Sequence, residues 1–141
     1  MTQGVPELIA AVHDEGGWVC VVSGGFHEVL DPVAHKLGLN AWRANRLETA
    51  SDGSLTGSIS GPVIDAAAKA QAIEDWAREG EFDSDDTVAI GDGANDLDMM
   101  SVAGLSIAFC AKPIVRDRAD VAIDVRDMRR AIDLIGTSPR S

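Results

Sequence analysis

Short apolar runs alternate with helical spacing along most of this chain. From Pro6 to Glu15, Leu8, Ile9 and Val12 fall on one helical side, and Gly16-Gly17 ends the pattern. Trp18 to Val22 is an apolar run with β-branched residues, stopped by Ser23-Gly24-Gly25, and predicts a buried strand. Helical spacing resumes from Phe26 to Leu37 through Val29, Leu30 and Val33, with Gly38 as the stop and Pro32 predicting a kink or break. Asp52-Gly53, flanked by Leu47 and by Leu55, Thr56 and Ile59, predicts a rim β-hairpin over residues 44–61. A helix is expected from Val63 to Arg78, with Ile64, Ala68, Ile73 and Trp76 as its stripe. Thr87 to Ile90 predicts a second buried strand, broken by Gly91-Asp92-Gly93, with a helix from about Asn95 to Ala103. Leu105 to Phe109 and Val121 to Ile123 predict two more strands, and Asp127 to Ile135 a closing helix. Residues 1–135 read as one domain and residues 136–141 as a disordered tail.

Helices alternating with continuous apolar strands predict an α/β fold, a Rossmann-like parallel sheet with helices on both faces. Ligands of such sheets bind beyond the carboxyl ends of the strands. Ser23-Gly24-Gly25 and Gly91-Asp92-Gly93 are the two polar, glycine-rich strand ends, so both should face one crevice.

Composition narrows the partners. The 141 residues are 45% hydrophobic, enough to fold, with a formal net charge of −11. That acidity argues against nucleic acid and anionic membranes, and leaves a small anionic substrate only if the site is locally positive or holds a metal ion. Cys20 and Cys110 each sit in an apolar run, as buried free thiols of a reducing cytosol would. No signal peptide is visible, and no apolar run approaches the ~20 residues of a membrane span, so a soluble cytoplasmic protein is expected.

Gly91 to Leu97 carries the strongest chemical signal. Asp92 and Asp96 are four apart at a helix start, so both carboxylates can point into one small volume. Two crowded acids are costly unless a cation lies between them, and Mg²⁺ suits oxygen ligands beside a phosphate. Ser23 with the backbone N–H groups after it could cradle a phosphate, although Ser-Gly-Gly before a helix is also an ordinary N-terminal device. Lys69, in the stretch Asp65-Ala66-Ala67-Ala68-Lys69-Ala70, would alone read as solvated surface; its small neighbours would also let an ammonium reach a buried anion.

In this order, Ser23, Lys69 and Asp92 with Asp96 resemble the second, third and fourth motifs of the haloacid dehalogenase superfamily. The match is closer to its phosphoserine phosphatase branch. Val21-Val22-Ser23-Gly24-Gly25-Phe26, Ala44-Asn45-Arg46-Leu47-Glu48, Asp65 to Ala70, and Thr87 to Leu97 followed by Ala111-Lys112-Pro113 carry the resemblance over residues 4–135. The resemblance implies that Ser23 and the Gly24 N–H hold phosphoryl oxygens, Lys69 neutralises charge, Asp92 ligates Mg²⁺, Asp96 supports the metal or its waters, and Asn95 contacts phosphoserine. It further implies an aspartyl-phosphate mechanism, with Lys69 and Asp96 in the catalytic set.

The family's first motif, an Asp-x-Asp pair after a central strand, has no counterpart here, nor has its helical cap. Asp83-Ser84-Asp85-Asp86-Thr87 matches by letter, but it precedes the strand that Asp92 follows. Asp85 and Asp92 then lie roughly 20 Å apart at ~3.3 Å per residue, too far for shared chemistry. The expectation is a partial core without its central strand, a fragment weak or inactive alone. Self-association or an N-terminal segment supplied in trans would close the gap. A non-catalytic Mg²⁺ and phosphate-binding module, or a different phosphatase of the superfamily, are the competing readings.

Overall fold

Val5–Asp14 forms the first helix, α1, with Pro6 in its opening turn, where a missing N–H costs nothing. The computed structural model describes residues 3–52, 54–60 and 64–136. Strand β1 is Cys20–Phe26 and helix α2 is His27–Leu37, ended by Gly38 at φ 73°. That left-handed backbone at the C-cap suits glycine. The helix assignment is unbroken across Pro32. Strand β2, Ala41–Thr49, runs parallel to β1 over its first half and antiparallel to β3, Leu55–Ser60, over its second.

Two expectations change here. Ser23-Gly24-Gly25 does not end β1; the strand continues to Phe26 through a bulge. Val22 lies opposite Arg43 and Phe26 opposite Asn45, so the step from 22 to 26 is matched by only 43 to 45. The hairpin is present, but its first strand begins at Ala41 and joins the sheet rather than standing on the rim. Gly53 of the predicted turn lies outside the described residues, as do Val63 and residues 137–141 of the expected tail, whose first residue, Gly136, is helical.

The second half of the chain gives α3 (Ala66–Glu79), β4 (Val88–Gly91), α4 (Leu97–Val102), β5 (Leu105–Phe109), α5 (Pro113–Arg118), β6 (Val121–Ile123) and α6 (Arg129–Gly136). Short 3₁₀ turns occupy Ser84–Asp86 and Ala94–Asp96. Helix α5 is not evident in the apolar pattern.

Strand β5 shows why helices cover both faces of its sheet. Ile107 and Phe109 pack with Leu8 of α1 and Ala131 of α6. The intervening Ala108 packs with Met99 and Met100 of α4 and Val115 of α5. Alternation along one strand thus feeds two apolar layers. Full burial of Ile107 and Val115 stabilises by roughly 1.5–3 kcal/mol each.

The strands form two three-stranded sheets, β1-β2-β3 and β4-β5-β6, rather than one. Among the described residues no ladder joins them, so the edges of β1 and β4 face the same gap. Helix α3 spans it, packing on α4 and on β1. No helix among the described residues is long and apolar enough to cross a membrane.

Candidate functional site

A cleft of about 600 Å³ occupies the gap between the sheets. Ser23 and Gly24 line it from the bulge of β1, and Gly91 and Asp92 from the carboxyl end of β4. Most of the remaining wall is apolar, including Val22, Ile73, Ile90 and Met99.

Lys69 sits on α3, whose N-cap Asp65 accepts a hydrogen bond from the Ala68 N–H at 2.8 Å. Its neighbour Ala72 is fully buried, so the helix lies close to the fold, and Lys69 is drawn in with it to 7% exposure. The ammonium meets Asp96 Oδ1 at 2.7 Å, with both side chains more than nine-tenths buried. The other carboxylate oxygen, Oδ2, accepts the N–H groups of Asp92 at 3.1 Å and Gly93 at 3.3 Å.

Both oxygens of Asp96 thus have partners within the chain. The cation that offsets it is Lys69, and it acts on Asp92 through the main chain, fixing the turn from below. An ammonium has three donors and Asp96 takes one, so Lys69 keeps donors for an anion in the cleft.

Asp92 is exposed, and its carboxylate has no partner among the described residues. Ser23 Oγ accepts the Gly25 N–H at 2.9 Å, which leaves the hydroxyl proton free to donate. Nothing lies within 4 Å of where a Gly24 Cβ would stand, so the bulge is open there. Ser23, Gly24, Lys69, Asp92 and Asp96 all line the cleft, whereas Asn95 is exposed and outside that lining.

Among the described residues no three His, Cys, Asp or Glu side chains converge on a point where a metal ion could sit. Mg²⁺ typically keeps several waters and takes one or two carboxylates plus substrate phosphate. Asp92 fits one corner of such a shell and no more.

The look-alike acidic string lies where spacing put it. Ser84–Asp86 is a 3₁₀ turn before β4, and Asp83 and Asp85 are exposed. Of that string, Asp86 and Thr87 line the cleft.

Two residues have roles that the sequence did not disclose. Gly91 lets Asp96 close up beneath β4: a Cβ there would lie 2.5 Å from Asp96 Cβ. Asn45, 5% exposed, holds the bulge; it stands in the stretch Ala44 to Glu48 that carries the resemblance, which gave it no role.

The haloacid dehalogenase-like hydrolase family model matches residues 1–101. The phosphoserine phosphatase of Methanocaldococcus jannaschii is 45% identical over 134 residues, covering 95% of this chain and 63% of that protein. That of Streptococcus thermophilus is 43% identical, covering 94% and 61%. The chain thus spans only a little over three-fifths of the length of these relatives. A solved complex of phosphoserine phosphatase with substrate superposes at a TM-score of 0.88 and 44% identity, covering 94% of this chain and 63% of that one. A probable phosphoserine phosphatase from Vibrio cholerae gives a TM-score of 0.92 at 36% identity, covering 98% and 42%. With the cleft, its buried Lys69–Asp96 pair and the Asp92 turn already in place, these matches show that the chain belongs to the haloacid dehalogenase-like hydrolase family.

Proposed function

We propose that this chain forms the phosphate-holding core of a phosphoserine-phosphatase-type hydrolase. The observation that carries the reading is the buried Lys69–Asp96 pair beside the Asp92 turn, in a cleft whose opposite wall presents Ser23 and Gly24. In a chain of net charge −11, this is a place where an anion meets fixed donors.

In this reading Ser23 Oγ and the Gly24 N–H donate to two phosphoryl oxygens. Lys69 donates to a third and offsets charge that builds as the ester bond breaks. Asp92 would hold Mg²⁺, which supplies further charge neutralisation at the phosphoryl group. Asp96 keeps Lys69 and the Asp92 turn in register, and Asn95 would meet the serine part of the substrate from outside the cleft. The attacking carboxylate and the proton donor would come from a segment seated between β1 and β4, whose facing edges no ladder joins among the described residues. The substrate class is a small phosphate monoester, L-phosphoserine first, because the relatives bear that name.

A second reading, a Mg²⁺ and phosphate-binding module without turnover, draws on one observation. Asp92 is an unpaired carboxylate at the carboxyl end of β4, exposed at the cleft, and an ion held there would bind phosphate whether or not a nucleophile reaches the phosphorus.

Phosphate release from L-phosphoserine with Mg²⁺ separates the readings. The chain is assayed alone and with a peptide copying the N-terminal strand and acidic motif of a phosphoserine phosphatase, with Asp92→Asn as control. Turnover that needs the peptide and is lost in the control supports the hydrolase. Phosphate binding without turnover, despite demonstrated peptide binding, supports the module. Turnover on other phosphate monoesters but not phosphoserine moves the chain to a different phosphatase of the family.

A further inference from the structure

Asn45 stands where the two walls of the phosphate site are tied together. It lies on β2, at 5% exposure, opposite Phe26, at the point where β1 regains its register after the bulge. Its Nδ2 donates to the Gly24 carbonyl at 2.9 Å, and its Oδ1 accepts the Ile64 N–H at 2.8 Å. A carbonyl can only accept and a backbone N–H can only donate, so these partners fix the orientation of the amide.

The first bond explains how the bulge survives. Residues in a bulge leave the ladder, and their carbonyls find a partner elsewhere, in a side chain or in water. With the Gly24 carbonyl held by Asn45, the bulge turns its open side toward the cleft. The second bond acts on the other wall. Ile64 immediately precedes Asp65, the N-cap of α3, and the Lys69 N–H donates to the Asp65 carbonyl at 3.0 Å. One planar amide thus spaces the Ser23–Gly25 bulge from the first turn of the helix that carries Lys69.

We infer that Asn45 is a positioning residue of the phosphate site, setting the bulge of Ser23 and Gly24 relative to Lys69. The inference rests on the phosphate-holding role proposed above and adds a residue to it. Aspartate is the discriminating substitution. Its carboxylate still accepts from the Ile64 N–H but cannot donate to the Gly24 carbonyl, which it would repel. Asn45→Asp keeps one arm and cuts the other at almost unchanged size.

The test is heteronuclear NMR of the whole chain, with inorganic phosphate as the probe. In the unsubstituted protein the Asn45 side-chain amide protons should exchange slowly with solvent and lie close to the Gly24 backbone. Asn45→Asp should shift the Ser23, Gly24 and Gly25 amide signals, leave β4–β6 signals in place, and weaken phosphate binding about tenfold. Freely exchanging Asn45 amide protons overturn the assignment, and this reading holds even where the variant fails to fold. Bulge signals unmoved in Asn45→Asp, or unchanged phosphate affinity, also overturn it. If the unsubstituted chain binds no phosphate, the functional reading fails, and the exchange and shift data alone decide whether Asn45 sets the bulge.

Discussion

Gly91 and Asp96 approach so closely that a methyl group cannot stand between them. A Cβ on Gly91 would lie 2.5 Å from Asp96 Cβ and 2.8 Å from its Oδ2, the oxygen that accepts the Asp92 and Gly93 N–H groups. Strand end, acid and lysine therefore form one packed unit. Gly91→Ala should push Asp96 off Lys69 and cost about 1–3 kcal/mol, as overpacking of a closed site does. Urea unfolding gives the cost, and a wild-type midpoint for the variant would show the turn to be looser than described.

Cutting the ion pair from either side should cost more than removing it whole. Lys69→Met leaves a buried carboxylate and Asp96→Asn a buried ammonium, each a loss of about 3–5 kcal/mol. The double variant should fall well short of the sum. A double-mutant cycle on unfolding free energies measures the coupling, and strict additivity would contradict the contact.

Acid should weaken the fold through surface carboxylates that are bonded in the native state. Hydrogen bonds from His27 and then Trp42 hold the Asp31 carboxyl below its ordinary 3.8. Gln71 and then Arg43 do the same for Asp75. Because the folded values are lowered, this stability is present above the ordinary value and is lost as pH falls through the folded ones. The urea midpoint should therefore decline below about pH 4. Asp31→Asn should have a shallower decline, and an identical slope would remove Asp31 from the account.

Burial pushes the Cys20 thiol up to about 11, with Glu79 adding to the shift. At neutral pH it is almost wholly protonated, and a protonated thiol is a poor nucleophile. A thiol reagent should modify Cys20 far more slowly in the folded chain at pH 8 than in urea at the same pH. Peptide mapping of the labelled protein reports this residue separately from Cys110, and equal rates would overturn the expectation.

The later strands were legible because each is a short apolar run between turn signals, and Leu105–Phe109 matches its predicted bounds. The turn at Asp92 was legible from its glycines and acids. The start of β2 was not: Ala41 to Ala44 has Arg43 in it, and that side chain lies over Trp76 while pairing with Asp75. Lys69 reads as surface until its partner, 27 residues later, is brought to it by the packing of α3 on α4. Asn45 stands in a stretch that carries the resemblance, but its role was not legible, since its two partners come from a bulge and a loop that only the fold brings together. Trp18 to Val22 reads as a buried strand, yet the observed β1 is only half-buried because one edge faces the cleft. Periodicity reports which side of an element is apolar, and it is silent about which edge of a sheet is closed.

The open seam between the two sheets has a thermodynamic consequence. Ser23 belongs to one sheet and Asp92 follows the last strand residue of the other, so on the proposed reading a phosphate donated to by Ser23 and an ion held by Asp92 would together draw the halves closer. An extended segment paired with both β1 and β4 does the same. Whatever one occupant spends in closing the seam, the second finds already spent. By reciprocity each then tightens the binding of the other by the same factor. On the proposed reading, cooperativity between a small anion and a peptide would follow from the open seam itself.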